Sequence, residues 1–242
     1  VDPGDGGLKR VFDTKCDGEP GALTTDPDRK FLFAALRAEG RLSAFRIVPA
    51  TGRLKHLNTV DAGADPAHIS TDRDGRYLFC AYYVAAKITA HAIQPDGSLS
   101  AKPVQSVSTA DKAHAIVLNP GSDFLYVPHT GPTLIHRLPF ARDSKTAVFG
   151  TIHEHKTPAN TGPRHLVFDS PGRFAYVVNE QGGSVTLYSV EGSGSELKPV
   201  QTISTLPADF KGANACAEIR MHPSGRFLFV SNRGHDSIAG FR

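Results

Sequence analysis

Five segments of the chain share one pattern of apolar and polar positions. In each, a turn rich in Pro, Gly, Asp or Ser precedes an aromatic residue, and a run of apolar and aromatic residues follows it. The five aromatic anchors are Phe31, Tyr77, Phe124, Phe174 and Phe227. Successive anchors are separated by 46, 47, 50 and 53 residues. This spacing indicates an internal repeat of roughly 50 residues, and the turn chemistry predicts that each anchor opens a β-strand.

The rest of each repeat adds further short strands. A second apolar stretch follows each anchor strand after a polar or Gly-containing turn, as at 41–47 and 184–190, and another precedes the anchor, as at 165–169. No stretch of a dozen residues carries a helical apolar stripe. Four short antiparallel strands per repeat are typical of a propeller blade. The sequence therefore predicts an all-β fold, a β-propeller of four-stranded antiparallel blades, with about five blades in this chain.

Length and composition are consistent with one folded unit. The chain has 242 residues, of which 40% are hydrophobic and 21% charged. Propellers of this size occur as single domains, so residues 1–242 are predicted to form one domain. Residues 6–11 are predicted to be the turn and outer strand of a preceding blade, and Arg242 comes just after an inner hairpin. We therefore expect a propeller domain that is incomplete at both ends.

Charge and cysteine usage argue against several partners. The formal net charge is +3 and the basic residues are dispersed, so nucleic acid is not a predicted partner. The apolar runs are too short to span a bilayer as helices, so no membrane association is predicted. The three cysteines are widely spaced and odd in number, which fits neither a disulfide framework nor a CxxC metal site. Reduced thiols favour a cytoplasmic location.

No cofactor or metal site is predicted. The chain has no P-loop, no dinucleotide-binding glycine motif after a strand and no GxSxG elbow. His153 and His155 lie in a polar stretch before a proline, which predicts a loop, and a third ligand at suitable spacing is missing. His129, His222 and His235 are predicted to be surface or loop residues.

Chemically capable side chains recur at fixed distances from the anchors. Six residues after the anchors stand Arg37, Tyr83, Thr130, Glu180 and Arg233. His68, His165 and Glu218 stand nine residues before the anchors Tyr77, Phe174 and Phe227. His114 and Arg164 stand ten residues before the anchors Phe124 and Phe174. Equivalent positions of successive repeats form a ring about the axis of a propeller. These side chains are therefore predicted to converge on one pocket.

A structural role is the alternative for some of these residues. A histidine before a strand is often a capping or core hydrogen-bond partner, and Arg37 fits a solvated loop charge equally well. Glu180 and Arg233 end strongly apolar strands, where burial of a charge is costly unless it pairs or faces a ligand. The functional interpretation is therefore favoured for Glu180 and Arg233.

Several motifs resemble one known family. The segments 162–168, 176–180 and 217–233, with Pro163-Arg164-His165 and Ser231-Asn232-Arg233 as their specific parts, resemble the seven-bladed β-propeller lactonases. The segment 66–72 and the stretch around His114 are similar to the bacterial 6-phosphogluconolactonase branch. The same family includes the fungal 3-carboxy-cis,cis-muconate lactonizing enzyme. The resemblance covers nearly the whole chain and implies a propeller of the seven-bladed type.

The resemblance implies a carboxylic ester hydrolase of carbohydrate metabolism that opens a sugar-acid lactone. The favoured substrate is 6-phosphogluconolactone, which would place the protein in the pentose phosphate pathway. The family's candidate active residues correspond to His114, Arg164, Glu180 and Arg233, with His165 adjacent. We expect Glu180 or a neutral histidine to activate water, His114 or His165 to protonate the leaving alkoxide, and the arginines to hold an anionic group.

The predicted partner is thus a small anionic lactone, and the oligomeric state is not predicted. The predicted catalytic residues are Glu180, His165, His114 and Arg233. The predicted substrate-binding residues are Arg164, Arg37, His68, Tyr83 and Glu218. Two alternatives stay open: the same ring could form a lactone from a muconate, or it could be a non-catalytic scaffold that binds a partner or a small anion.

Overall fold

The computed structural model describes residues 4–242, and five antiparallel sheets follow one another along the chain. Blade 1 contains β1 (Pro20–Thr25), β2 (Phe31–Leu36), β3 (Arg41–Ile47) and β4 (Leu54–Asp61). Blade 2 contains β5 (Pro66–Thr71), β6 (Tyr77–Tyr82), β7 (Lys87–Ala92) and β8 (Gln105–Ser108). Blade 3 contains β9 (Val117–Leu118), β10 (Phe124–His129), β11 (Leu134–Pro139) and β12 (His153–Lys156). Blade 4 contains β13 (Pro163–Phe168), β14 (Phe174–Asn179), β15 (Ser184–Glu191) and β16 (Glu196–Ser204). Blade 5 contains β17 (Ala215–Met221), β18 (Leu228–Arg233) and β19 (Ser237–Phe241).

The predicted all-β blades are confirmed. Within each blade, every strand pairs antiparallel with the next one along the chain, and the described residues contain no α-helix, only a 3₁₀ turn at Gly192–Gly194. Four of the five anchors open the second strand of their blade as predicted. Phe227 is the exception, because it lies one residue before β18 begins at Leu228.

The first strand of four blades contains a β-bulge near its start. The register shifts lie between Pro20 and Ala22, Pro66 and His68, Pro163 and His165, and Cys216 and Ile219. A bulge places an extra residue opposite the partner strand and re-aims the side chains around it. The predicted site residues of β5, β13 and β17 lie at these bulges, so the same local irregularity positions several of them.

The hydrophobic core lies between neighbouring blades. Blades 1 and 2 share a cluster that includes Phe33 and Tyr82, and blades 2 and 3 share one that includes Phe79 and Leu125. Further clusters join blade 3 to blade 4 and blade 4 to blade 5. Each sheet therefore buries its apolar side chains against the next sheet, which fixes the blades around a common centre.

The segment before blade 1 differs from the prediction. Residues 6–16 form no strand, and Leu8 and Val11 are 86% and 77% exposed. Cys16 instead packs against Phe45 of blade 1, and the Arg53 guanidinium lies over the Phe12 ring. The predicted outer strand in this segment is wrong because no neighbouring strand in the described residues pairs with it. The expectation of one domain incomplete at both ends stays a prediction.

The repeat supplies a matched pair of residues to test this packing. Phe79 and Phe229 each lie two residues after their anchor, but Phe79 is fully buried and Phe229 is 42% exposed. We expect Phe79→Ala to lower the free energy of unfolding by about 3–5 kcal/mol, because the side chain leaves a cavity between blades. We expect Phe229→Ala to lower it by less than about 1 kcal/mol. Urea unfolding measures both values, and equal losses would contradict the described core.

Candidate active site

The first strands of all five blades line one cavity of about 350 Å³. Its walls include Thr24 from β1, Ser70 from β5, Leu118 from β9, Val167 from β13 and Ile219 from β17. The predicted site residues His68, His165 and Glu218 belong to the same lining. The register argument therefore agrees with the structure, since residues far apart in sequence meet where the first strands converge.

Three histidines form a contiguous row beside this cavity. The His165 ring lies with its centroid 5.2 Å from that of His68 and 5.2 Å from that of His114, both edge to face. Tyr83 continues the row, with its ring centroid 5.3 Å from His114. The Arg37 guanidinium lies 5.5 Å from the centre of the Tyr83 ring and pairs with Asp65 at 3.3 Å. One end of the row is thus cationic.

Glu180 is held between two arginines, one of which, Arg164, lies beside the central ring of the row, His165. Its Oε2 lies 3.0 Å from Nε of Arg164, and its Oε1 lies 3.2 Å from Nη2 of Arg233. Arg164 Nη1 donates to the Ala217 carbonyl at 2.7 Å, and Arg233 donates to the carbonyls of Ala215 and Cys216. The carboxylate of blade 4 and the backbone of blade 5 therefore fix both guanidinium groups.

His165 is oriented by a carboxylate from the neighbouring blade. Its Nδ1 donates a hydrogen bond of 2.8 Å to Oε2 of Glu218. Its Nε2 is then the unprotonated nitrogen and lies 3.4 Å from Nη1 of Arg164. The β13 bulge explains how the consecutive residues Arg164 and His165 reach the same site, because neighbours on a regular strand point to opposite faces.

Burial keeps these histidines neutral near pH 7. It lowers the pKa of His68 to about 3 and that of His114 to about 2, with neighbouring positive charge adding to the effect. Burial also lowers the pKa of His165, although Glu218 opposes the shift. Burial alone would raise the pKa of Glu218, but the hydrogen bond from His165 and the nearby positive charge of Arg220 outweigh it and lower that pKa. The site therefore combines neutral imidazoles with an ionised carboxylate.

His114 offers an unused polar atom to the site. Its side chain is 7% exposed, and its Nδ1 has no hydrogen-bond partner among residues 4–242. A buried polar atom without a partner is uncommon in folded proteins. His114 therefore brings one buried ring nitrogen with unused hydrogen-bonding capacity to the row beside His165.

Comparison with known proteins agrees with the blades and the motifs. A family model described as "Lactonase, 7-bladed beta-propeller" matches residues 1–242. The chain belongs to the seven-bladed β-propeller lactonase family. The resemblance predicted from the motifs and the seven-bladed fold type are thereby confirmed.

Named relatives of this lactonase-family chain come from several bacteria. It is 30% identical over 153 residues to a 6-phosphogluconolactonase of Pectobacterium carotovorum, covering 62% of this chain and 46% of that protein. It is 34% identical over 139 residues to a 6-phosphogluconolactonase of Serratia proteamaculans, covering 57% of this chain and 41% of that protein. These matches span less than half the length of the curated relatives.

Solved structures are similar over nearly the whole chain. The periplasmic gluconolactonase of Pseudomonas aeruginosa superimposes with a TM-score of 0.88 at 30% identity, covering 99% of this chain and 72% of that one. A putative 6-phosphogluconolactonase of Bacteroides fragilis gives a TM-score of 0.85 at 25% identity, covering 95% and 68%. The five blades therefore have the arrangement of this family's propellers.

The structure brings all nine predicted site residues into one connected set of contacts. Arg37 is the most peripheral member, because its side chain is 42% exposed and reaches the row through Tyr83. Two charged residues that the register argument missed also belong to the set: Arg220, which pairs with Glu218, and Asp65, which pairs with Arg37. Arg220 could have been found from its two-residue spacing to Glu218, which places both on one face of a strand.

Of the predictions for the other histidines, two are confirmed and three are wrong. His222 is exposed and His235 lies in the turn between β18 and β19, as predicted. The surface prediction for His129 is wrong, because it lies on the same face of β10 as the interblade core residue Val127 and is fully buried. The loop prediction for His153 and His155 is also wrong, because both belong to β12, which pairs with β11.

Residues 4–242 contain no group of three or more His, Cys, Asp or Glu side chains arranged to hold a metal ion. None of their helices has the length and apolar character needed to cross a membrane. All three cysteines of the chain are free thiols.

The buried histidines predict a loss of stability in mild acid. Because the folded pKa of His114 is about 2 and its ordinary value is 6.5, the unfolded chain binds the proton first. The contribution of neutral His114 to the free energy of unfolding is complete above pH 6.5 and declines as the pH falls towards 2. Between pH 7 and pH 5, we expect His114 alone to lower the free energy of unfolding by about 2 kcal/mol. His68 adds a change of the same sign.

Urea unfolding at pH 7, 6 and 5 measures this slope. A free energy of unfolding that stays constant over that interval would contradict the burial of neutral histidines at this site.

Proposed function

We propose that this chain carries the active site of a lactone hydrolase for an acidic sugar lactone, with 6-phosphogluconolactone as the favoured substrate. The observation that carries the proposal is one neutral imidazole, His165, whose unprotonated Nε2 accepts a 3.4 Å hydrogen bond from Nη1 of Arg164 where the first strands of the blades converge. The names of the curated relatives and the gluconolactonase structure support a lactone as substrate.

Lactone opening by water needs a base, and the contacts favour His165 over Glu180. Each oxygen of Glu180 is engaged in an ion pair with a guanidinium group, at 3.0 Å and 3.2 Å, whereas His165 Nε2 faces one guanidinium N–H at 3.4 Å. His165 Nε2 carries no proton, and Glu218 stabilises the imidazolium that forms when it accepts one. Glu180 then serves to orient Arg164 and Arg233.

The proposed reaction conserves protons. His165 Nε2 takes a proton from water as the water oxygen bonds to the lactone carbonyl carbon. Arg164 and Arg233 stabilise the negative charge that develops on the carbonyl oxygen. The bond from this carbon to the ring oxygen then breaks, and His165 returns its proton to the leaving alkoxide. The product is the open hydroxy acid, and the protein is unchanged.

The guanidinium groups also fit an anionic substituent. Arg233 is 53% exposed and Arg37 is 42% exposed, so both retain N–H groups for a ligand. Guanidinium groups bind phosphate and carboxylate with paired hydrogen bonds. A phosphorylated lactone therefore suits the site better than a neutral one. The cytoplasmic location stays a prediction, and one solved relative is periplasmic.

The direct test is hydrolysis of freshly generated 6-phosphogluconolactone by residues 1–242, corrected for spontaneous opening. Neutral gluconolactone is the matched control, and we expect a kcat/KM at least about tenfold lower for it because it lacks the charged contact. 3-Carboxy-cis,cis-muconate is the third arm. Cyclisation of the muconate without hydrolysis would replace the proposal, and no acceleration of either lactone would overturn it.

A further inference from the structure

Both oxygens of Glu218 are occupied, by residues with different roles. Oε2 accepts the hydrogen bond from His165, and Oε1 lies 2.9 Å from Nε of Arg220. Glu218 and Arg220 are two residues apart on β17, so their side chains share the face that lines the central cavity. The backbone N–H of Glu218 is fixed as well, by a 3.0 Å hydrogen bond to Oγ of Ser231.

We propose that Arg220 is a positioning residue, which holds the Glu218 carboxylate in the rotamer that orients His165 as the base. This inference rests on the proposed function and adds a residue to it. A carboxylate bound at one oxygen only can rotate about its side-chain torsions, and the histidine then loses its fixed tautomer and ring orientation. A group that orients the base is a recurring requirement of such sites.

The titratable and charged groups that face His165 come from four elements. β5 contributes His68, the segment before β9 contributes His114, β13 contributes Arg164, and β17 contributes Glu218 and Arg220. Glu218 favours the protonated form of His165, whereas Arg164 and Arg220 disfavour it. Removal of Arg220 therefore separates two outcomes: loss of its charge alone raises the pKa of His165, whereas loss of the Glu218 hydrogen bond, which is the larger contribution, lowers it.

Arg220 can be replaced with little effect on the stability of the fold, because its side chain is exposed. Its side chain is 74% exposed, and exposed ion pairs contribute little to the stability of a fold. Arg173 is a matched control, because it is equally exposed at 74% and approaches an acidic residue, Asp169, at 4.0 Å. Arg173 touches none of the site residues named above.

The experiment compares Arg220→Met, Arg220→Lys and Arg173→Met with the unchanged chain in lactone hydrolysis over a range of pH. For Arg220→Met we expect kcat to fall about tenfold, part of what a positioned base contributes. If Glu218 rotates away from His165, the pKa of the imidazole falls, so the acidic limb of the kcat/KM profile should move to lower pH. Arg220→Lys should restore most of the limb position because its ammonium group can still hold Glu218, and Arg173→Met should change neither quantity.

A uniform fall in rate with an unmoved acidic limb would show a merely structural role and overturn the proposal. So would a kcat of Arg220→Met within about twofold of the unchanged chain, given what a base contributes. If the unchanged chain opens no lactone, the proposed function fails, and an NMR titration of the His165 ring still decides this inference. A downward pKa shift of His165 in Arg220→Met would support the positioning role of Arg220, and no shift, or an upward shift from the lost charge alone, would overturn it.

Discussion

His165→Asn is expected to reduce kcat for lactone opening by about 10²–10⁴-fold, because the substitution removes the proposed base. The asparagine amide can still donate to Glu218 near the position of Nδ1, so the contact between blades 4 and 5 is kept. Only the unprotonated Nε2 is lost. We therefore expect KM to change much less than kcat, and initial rates at saturating and limiting lactone separate the two.

A second buried histidine provides the control for this variant. His91 lies in β7, is fully buried and contacts the Ser100 carbonyl through Nδ1, outside the site. His91→Asn should keep its kcat if the chain is folded. A folded His165→Asn with the unchanged chain's kcat would remove His165 from the mechanism.

Glu180→Gln is expected to lower kcat/KM by about 10²-fold, with much of the loss in KM. The amide offers one acceptor oxygen where the carboxylate offers two, so Arg164 and Arg233 can no longer both be held. Two guanidinium groups left without their shared anion repel each other and lose their alignment with the substrate. The acidic limb of the pH profile should persist, because His165 is still present.

Glu191→Gln is the control, since Glu191 also pairs with a cation, Lys198, but lies at the end of β15, outside the site. It should leave both kinetic constants unchanged. Loss of the acidic limb in Glu180→Gln would instead identify Glu180 as the base, which was the other expectation from the sequence.

The repeat pattern predicted most of the fold because blade strands have local signatures. Turn residues before an aromatic anchor determine where each second strand begins, and four of the five strands begin at the anchor. The pattern failed where the availability of a neighbouring strand decides whether a segment forms a strand. Residues 6–11 have a strand-like sequence but no neighbouring strand within residues 4–242, and the polar run at His153 became a strand because β11 offers a free edge to pair with.

The membership of the site was also predictable, because equivalent positions of a repeat meet at the centre of a propeller. The repeat positions did not predict which side chains pair with one another. His165 bonds to Glu218 of the next blade, and Glu180 links Arg164 and Arg233 across two blades. These pairings separate a proposed base from an orienting carboxylate, a distinction that residue types alone leave open.

The repeat, the all-β blades, the family motifs and the convergence of nine residues follow from the sequence alone, because they depend on spacing and on local strand and turn preferences. The protonation states and the side-chain partners depend on the folded structure. Burial among three neighbouring rings, rather than sequence position, makes the histidines neutral. Contacts between β13 and β17, some fifty residues apart along the chain, bring Arg220, Glu218 and His165 into one line, since a repeat length sets register but not side-chain pairing.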